Sequence, residues 1–168
     1  MEKPNPPPFE IYLMRHAHSG WPQPGERDFD RALDARGIAE ANAVARMTAS
    51  SGYRPDLLLC SSAHRCRGTA ASVIEAINEE MQVQYLDELY NAPVETYLAI
   101  IRAQTVARLM VIGHNPSIEV LLETMIGSDP TASIIPAGFP TAGFAALGHD
   151  PRSGSAQGPW QLGAFFAP

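Results

Sequence analysis

The sequence predicts an α/β fold of three layers, in which helices cover both faces of a mostly parallel central sheet. Apolar runs at residues 9–14, 57–60 and 108–112 are typical of parallel strands buried on both faces. Between these runs lie segments whose apolar residues recur with the spacing of a helix. Strands that alternate with helices in this way indicate a parallel sheet, because each crossover needs a long connection.

The predicted elements follow one another in a regular order. We expect strands at residues 9–14, 57–60, 81–86, 108–112, 141–147 and 160–166, and helices at 35–48, 65–80, 94–104 and 116–126. Asp34 has a side chain suited to cap the first helix, whereas Gly37 weakens its first turn. The inward face of that helix is expected to carry Ile38, Ala41, Ala45 and Thr48. Residues 19–33 form a long loop, a length that is often functional, and residues 149–158 a polar turn.

Length, charge and cysteine content restrict the class of protein. We expect a single domain, residues 9–168, after a flexible, proline-rich leader at residues 1–8. The net charge of −6 argues against a nucleic-acid partner held through its phosphates. No apolar run approaches the roughly 18 residues that span a bilayer, so no membrane partner is expected. Two cysteines are too few for a disulfide framework, which favours a cytoplasmic protein. Nothing in the sequence indicates an oligomeric state.

Three of the apolar strands end in loops that carry arginine or histidine. Arg15 and His16 follow the first strand, Arg65 follows the second and His114 follows the fourth. Because the carboxyl ends of parallel strands meet at one edge of a sheet, we expect these side chains to converge there. Two guanidinium groups and two imidazoles in an acidic protein predict a pocket for a phosphoryl group, with helix N-termini behind Arg65 and His114.

The chemistry of this pocket follows from its side chains. We expect His16 to attack phosphorus with its unprotonated nitrogen, while its other nitrogen donates to a backbone carbonyl. Arg15 and Arg65 disfavour the imidazolium, so the ring stays neutral. The arginines and His114 then stabilise charge on the equatorial oxygens, and water cleaves the phosphohistidine. Because the cations are built into the protein, no metal or other cofactor is expected.

Three sequence segments resemble the signatures of one enzyme family. These are Met14-Arg15-His16-Ala17, Ser61-Ser62-Ala63-His64-Arg65-Cys66-Arg67-Gly68-Thr69-Ala70 and Val111-Ile112-Gly113-His114-Asn115-Pro116. They are similar to the Arg-His-Gly/Ala, Ser-Pro-x-x-Arg-Ala-x-x-Thr-Ala and Val-Gly-His-Asn-Pro segments of the histidine phosphatase superfamily, which has the phosphoglycerate mutase-like fold. With its short length and its full Gly-His-Asn-Pro match, the sequence resembles the phosphohistidine phosphatase SixA subgroup of this superfamily. Ser62 replaces the usual proline and Cys66 the usual alanine.

The resemblance implies His16 as the nucleophile and Arg15, Arg65 and His114 as the phosphate pocket. Many members of the family use an acidic residue after the third strand as the proton donor. Glu88 is the nearest candidate here, with Asp87 behind it. Small members of the subgroup lack a dedicated acid, which fits a leaving group that is easily expelled.

Ser19 and Arg31, in the long loop, are candidate contacts to the phosphate or the leaving group. The expected partner is a phosphorylated substrate, either a phosphohistidine protein or a small phosphate monoester. Two other functions compete: a phosphate-binding protein without turnover, and a zinc hydrolase that uses His16, His18 and His114. Two histidines at i and i+2 on a strand share a face and could bind zinc.

Overall fold

A six-stranded sheet forms the centre of the computed structural model, which describes residues 8–149 and 160–168. The strands are β1 (Glu10–Arg15), β2 (Leu57–Ser61), β3 (Gln82–Leu86), β4 (Arg108–Gly113), β5 (Phe144–Gly148) and β6 (Gln161–Phe166). Across the sheet their order is β3-β2-β4-β1-β5-β6. The first four strands are parallel, whereas β5 runs antiparallel to β1 and β6 antiparallel to β5. The sheet is therefore mostly parallel, as predicted.

Helices cover both faces of this sheet. They are α1 (Ala35–Ser50), α2 (His64–Ile77), α3 (Val94–Arg102), α4 (Ser117–Ile126) and α5 (Ser128–Ile134), and single 3-10 turns lie at Asp28–Asp30 and Asp87–Leu89. Alternate side chains of β1 divide the core into two halves. Tyr12 and Met14 pack with the apolar residues of α1 and α2, and Ile11 and Leu13 with those of α3 and α4. The prediction of three layers is confirmed.

The first helix shows where sequence spacing succeeded and where it was wrong. The Asp34 carboxylate accepts a hydrogen bond from the Gly37 N–H at 2.8 Å, so the predicted cap is confirmed. Ala41, Ala45 and Thr48 are buried as expected, but Ile38 is 52% exposed. Val44 takes the inward position instead. Ile38 lies in the first turn of α1, and its exposure shows that the described neighbouring elements do not cover that position.

Element boundaries differ from the prediction in several places. Helix α2 ends at Ile77 because Asn78 adopts a left-handed conformation (φ 48°). Strand β5 begins only at Phe144, and the short helix α5 was not anticipated. The polar turn predicted at residues 149–158 and the leader at residues 1–8 lie, except for His149 and Pro8, outside the described residues.

Gly37 is required by a close backbone approach. A Cβ atom built on this residue would lie 1.9 Å from the carbonyl oxygen of His18. That carbonyl also accepts the N–H of Asp34 at 3.4 Å, so the approach ties the segment after β1 to the start of α1. The glycine that weakens the helix in isolation therefore allows the loop to pack against it.

We predict that Gly37→Ala destabilises the protein. Alanine favours a helix by about 1 kcal/mol over glycine, but crowding of a well-packed site costs about 1–3 kcal/mol, and here the clash is with backbone. The free energy of unfolding from urea titration should therefore fall. Gly148→Ala is the control, since nothing lies within 4 Å of its Cβ position. Equal stability of the two variants would contradict the assigned packing.

Candidate active site

The three loops with arginine and histidine meet at one edge of the sheet. β1, β2 and β4 are parallel neighbours, and Arg15-His16, Arg65 and His114 lie at or just beyond their carboxyl ends. There they surround a cavity of about 400 Å³. Its walls are formed by Arg15, His16, His18, Ser19, Arg31, Arg65, Asn91, His114, Asn115 and Thr141. Among the described residues, the lining contains neither a carboxylate nor an apolar side chain, and so it suits an anion.

The His16 ring is held in one tautomer. Its Nδ1 lies 2.7 Å from the Ala17 carbonyl oxygen, and a carbonyl only accepts, so Nδ1 carries the proton. Nε2 is then free of a proton and faces Arg65, whose Nε lies 3.4 Å away. Burial lowers the pKa of His16 to about 3; the hydrogen bond to Ala17 opposes that fall, and the charges of His114 and the two arginines add to it. At neutral pH the ring is therefore uncharged.

Arg65 lies in the first turn of α2 and is only 6% exposed. One edge of its guanidinium faces the cavity, with Nε near His16 and Nη2 at 3.5 Å from His114 Nδ1. The other edge is bonded to Asp28, through Nη1 to the carbonyl at 2.7 Å and through Nη2 to the carboxylate at 3.1 Å. A guanidinium held along one edge presents the other to a phosphate without further ordering.

His114 is held through both its backbone and its ring. The Tyr97 hydroxyl accepts the His114 N–H at 3.1 Å and donates to the carbonyl of Leu89 at 3.2 Å. Nε2 lies 2.8 Å from Ser61 Oγ, and Arg65 can only donate to Nδ1, so the neutral ring donates from Nε2 to Ser61. Burial, followed by the charge of Arg65, lowers the pKa of His114 to about 4.

A close approach explains the glycine before His114. A Cβ atom on Gly113 would lie 2.3 Å from the Tyr97 hydroxyl oxygen. The Gly-His pair of the third sequence segment is therefore needed so that a buried tyrosine on α3 can reach the backbone of the histidine.

Arg15 has a buried N–H donor that is not used in a hydrogen bond within the described residues. Its Nη1 donates to the carbonyl of Phe139 at 2.8 Å, but its buried Nε has no hydrogen-bond partner among the described residues. Burial lowers the pKa of the guanidinium. A buried donor without a partner costs free energy, so Arg15 lowers the stability of the fold at this position.

The remaining sequence candidates separate into two groups. Ser19 and Arg31 line the cavity, as the sequence analysis suggested. Glu88 does not: it is exposed on the turn Asp87–Leu89 and takes no part in the cavity wall. Its proposed role as proton donor therefore has no support from the geometry.

Several residues of the site were missed at the sequence level. Asn91, Asn115 and Thr141 join the cavity wall, and Ser61 and Asp28 hold its histidine and arginine. Ser61 could have been found, because it opens the segment that contains Arg65. Asp28 carries no local signal, since its partners are distant in sequence.

The described residues provide no set of ligands for the zinc hydrolase alternative. Among residues 8–149 and 160–168, no group of three His, Cys, Asp or Glu side chains could hold a metal ion. His18 Nδ1 is instead 2.6 Å from the Asp34 carboxylate, and His16 Nδ1 is bonded to a carbonyl.

Within residues 8–149 and 160–168, no helix has the length and apolar character that are needed to span a membrane.

Comparison with known proteins places the chain in a family. The profile of the histidine phosphatase superfamily (branch 1) matches residues 11–97. An uncharacterized protein of Mycobacterium tuberculosis is 34% identical over 140 residues, which are 80% of this chain and 85% of that protein.

Two solved structures also resemble the whole chain. A proposed phosphohistidine phosphatase SixA from Agrobacterium tumefaciens is 48% identical, with a TM-score of 0.88 over 96% of this chain and 99% of that chain. A proposed SixA from Nakamurella multipartitia is 26% identical, with a TM-score of 0.77 over 95% and 96% of the two chains. The profile match and these likenesses show that the chain is a phosphatase of the histidine phosphatase superfamily, with the phosphoglycerate mutase-like fold.

Proposed function

We propose that this phosphatase acts through a phosphohistidine intermediate on His16. Nε2 attacks the phosphorus atom of the substrate, the bond from phosphorus to the leaving group breaks, and water then hydrolyses the phosphohistidine. The observation that carries the proposal is the neutral ring of His16, whose unprotonated nitrogen faces a cavity lined by cations. Arg15, Arg65 and His114 bind the oxygens on which charge accumulates in the transition state.

The chain's own donors supply the charge for this step. Arg15 lines the cavity, and the edge of Arg65 that faces His16 is already held in place, so it needs little reorganisation. A dianion in the cavity favours the protonated form of His114, which then donates from Nδ1. The mechanism therefore uses no metal ion and no cofactor.

We further propose a phosphohistidine protein as the substrate. The described part of the cavity wall offers no apolar surface for a leaving group, so that group stays at the mouth, where a protein surface can present it. The same residues include no carboxylic acid, which an imidazole leaving group needs less than an alkoxide does. The similar Agrobacterium tumefaciens protein carries the same proposed activity. A small phosphate monoester is the second candidate, because 400 Å³ also admits a compact polar molecule.

We predict that His16→Ala abolishes turnover and leaves the fold intact. Removal of a nucleophile costs about 10⁴-fold or more in kcat. Incubation with substrate followed by quenching should trap acid-labile, base-stable phosphate on the wild type alone. His64→Ala, an exposed histidine at the start of α2, is the matched control and should label normally. Equal labelling of the His16 variant, or wild-type activity lost in EDTA and restored by zinc, would overturn the mechanism.

The neutral state of His16 predicts a pH dependence of stability. Its pKa is about 3 in the folded protein and about 6.5 when unfolded, so below pH 6.5 the unfolded chain binds a proton that the folded protein does not. The contribution of the neutral His16 ring to the free energy of unfolding is complete above pH 6.5 and is lost as the pH falls. His16→Asn should remove about 1.4 kcal/mol per pH unit from the slope between pH 6 and pH 5. Urea titration at each pH measures it, and an unchanged slope would show that His16 is not neutral.

We predict that Glu88→Gln changes kcat/KM by less than about threefold on a phosphohistidine peptide and on an alkyl phosphate alike. A general acid contributes about 10²- to 10⁴-fold, and Glu88 lies outside the cavity. Glu95→Gln, an exposed carboxylate on α3, sets the baseline. A hundredfold loss confined to the alkyl phosphate would restore Glu88 as the proton donor.

A further inference from the structure

The carboxylate of Asp28, in the long loop, accepts hydrogen bonds from two arginines of the cavity wall, Arg65 and Arg31. Asp28 Oδ2 accepts from Arg65 Nη2 at 3.1 Å and from the Tyr90 hydroxyl at 2.7 Å. Its Oδ1 accepts from Arg31 Nε at 2.9 Å, and its carbonyl accepts from Arg65 Nη1 at 2.7 Å. The side chain is nevertheless half exposed and does not line the cavity.

These contacts divide the donors of Arg65 between two edges. Nε and one N–H of Nη2 form the edge toward His16 and His114, and Nη1 with the other N–H of Nη2 forms the edge toward Asp28. A guanidinium is rigid and planar, so fixing one edge fixes the direction of the other. The geometry of the cavity-facing donors is thus set from outside the cavity.

We propose that Asp28 is a positioning residue that aligns the guanidinium of Arg65 with the transferred phosphoryl group. The proposal rests on the proposed function, since it assumes that Arg65 binds the phosphoryl oxygens. The Tyr90 hydroxyl donates to the same carboxylate oxygen as Arg65, and the centre of its ring lies 5.9 Å from the Arg65 guanidinium carbon. The turn Asp28–Asp30 is thereby joined to the segment after β3.

The negative charge of Asp28 makes the proposal testable. Because this charge repels a phosphate, electrostatics alone predict that removal of Asp28 tightens anion binding. Alignment of Arg65 matters most in the transition state, where charge accumulates on the oxygens. The two effects therefore act in opposite directions on ground-state binding and on kcat.

Asp28→Asn is the variant of choice because it keeps the size of the side chain. A single amide oxygen can accept from Arg65 and Tyr90 only if the amide NH₂ then faces Arg31, donor against donor. Asp30→Asn is the matched control: it lies on the same exposed turn, and its carboxylate accepts from Arg27, which lies outside the cavity wall. Both variants are also made in an Arg65→Ala background.

The experiment measures kcat and KM on a phosphohistidine peptide and the inhibition constant of inorganic phosphate. We expect Asp28→Asn to lower kcat by about tenfold, less than the 10²- to 10³-fold of a lost donor, because the carbonyl contact remains. The inhibition constant should stay equal or fall. In the Arg65→Ala background the same substitution should change kcat by less than about twofold. Asp30→Asn should match its parent in both backgrounds.

Three results would overturn the proposal. The first is an Asp28→Asn variant that behaves like Asp30→Asn, and the second is an equal loss in kcat with and without Arg65. The third is weaker phosphate inhibition together with the lower kcat, which would indicate local structural damage. Urea titration of each variant confirms that it is folded. Failure of the proposed function is distinguishable, because the wild type would then form no phosphohistidine at all.

Discussion

The hydrogen bond between His16 and the Ala17 carbonyl is the interaction on which the site depends. It decides which nitrogen keeps the proton, and so which one would attack phosphorus in the proposed mechanism. The backbone around it is tied on several sides: the His16 N–H donates to Gly113, its carbonyl accepts from Ala142, and the Ala17 N–H donates to Thr69. Strand β4, helix α2 and the segment before β5 thus share in directing one imidazole.

Burial has two opposing consequences in this site. It lowers the pKa values of His16 and His114 and so keeps both rings neutral in the empty cavity. The same low polarity strengthens each contact between an arginine and a bound anion. The carbonyl and carboxylate of Asp28 offset the cost of burying Arg65, whereas the buried Nε of Arg15 has no hydrogen-bond partner among the described residues. Arg15 is therefore the less well compensated of these two guanidinium groups.

Much of the fold was predictable because parallel strands buried on both faces have a distinctive composition. The layered sheet, the cap at Asp34 and the convergence of Arg15, His16, Arg65 and His114 at one edge all follow from local patterns combined with one rule of topology. The exposed Ile38 and the short helix α5 were not predictable. Helical spacing shows which residues share a face, but only the neighbouring elements decide how far that face is covered.

The sequence by itself determined the chemistry: which strands end in arginine or histidine, and which family those segments resemble. Only the tertiary structure decided how the groups are held. Asp28 meets Arg65 and Tyr90, and Ser61 meets His114, across 37 to 62 residues of chain. Such pairs depend on how loops from different strands pack together. No periodicity within one element encodes that packing, so the residues that hold Arg65 and His114 can be identified only in the folded chain.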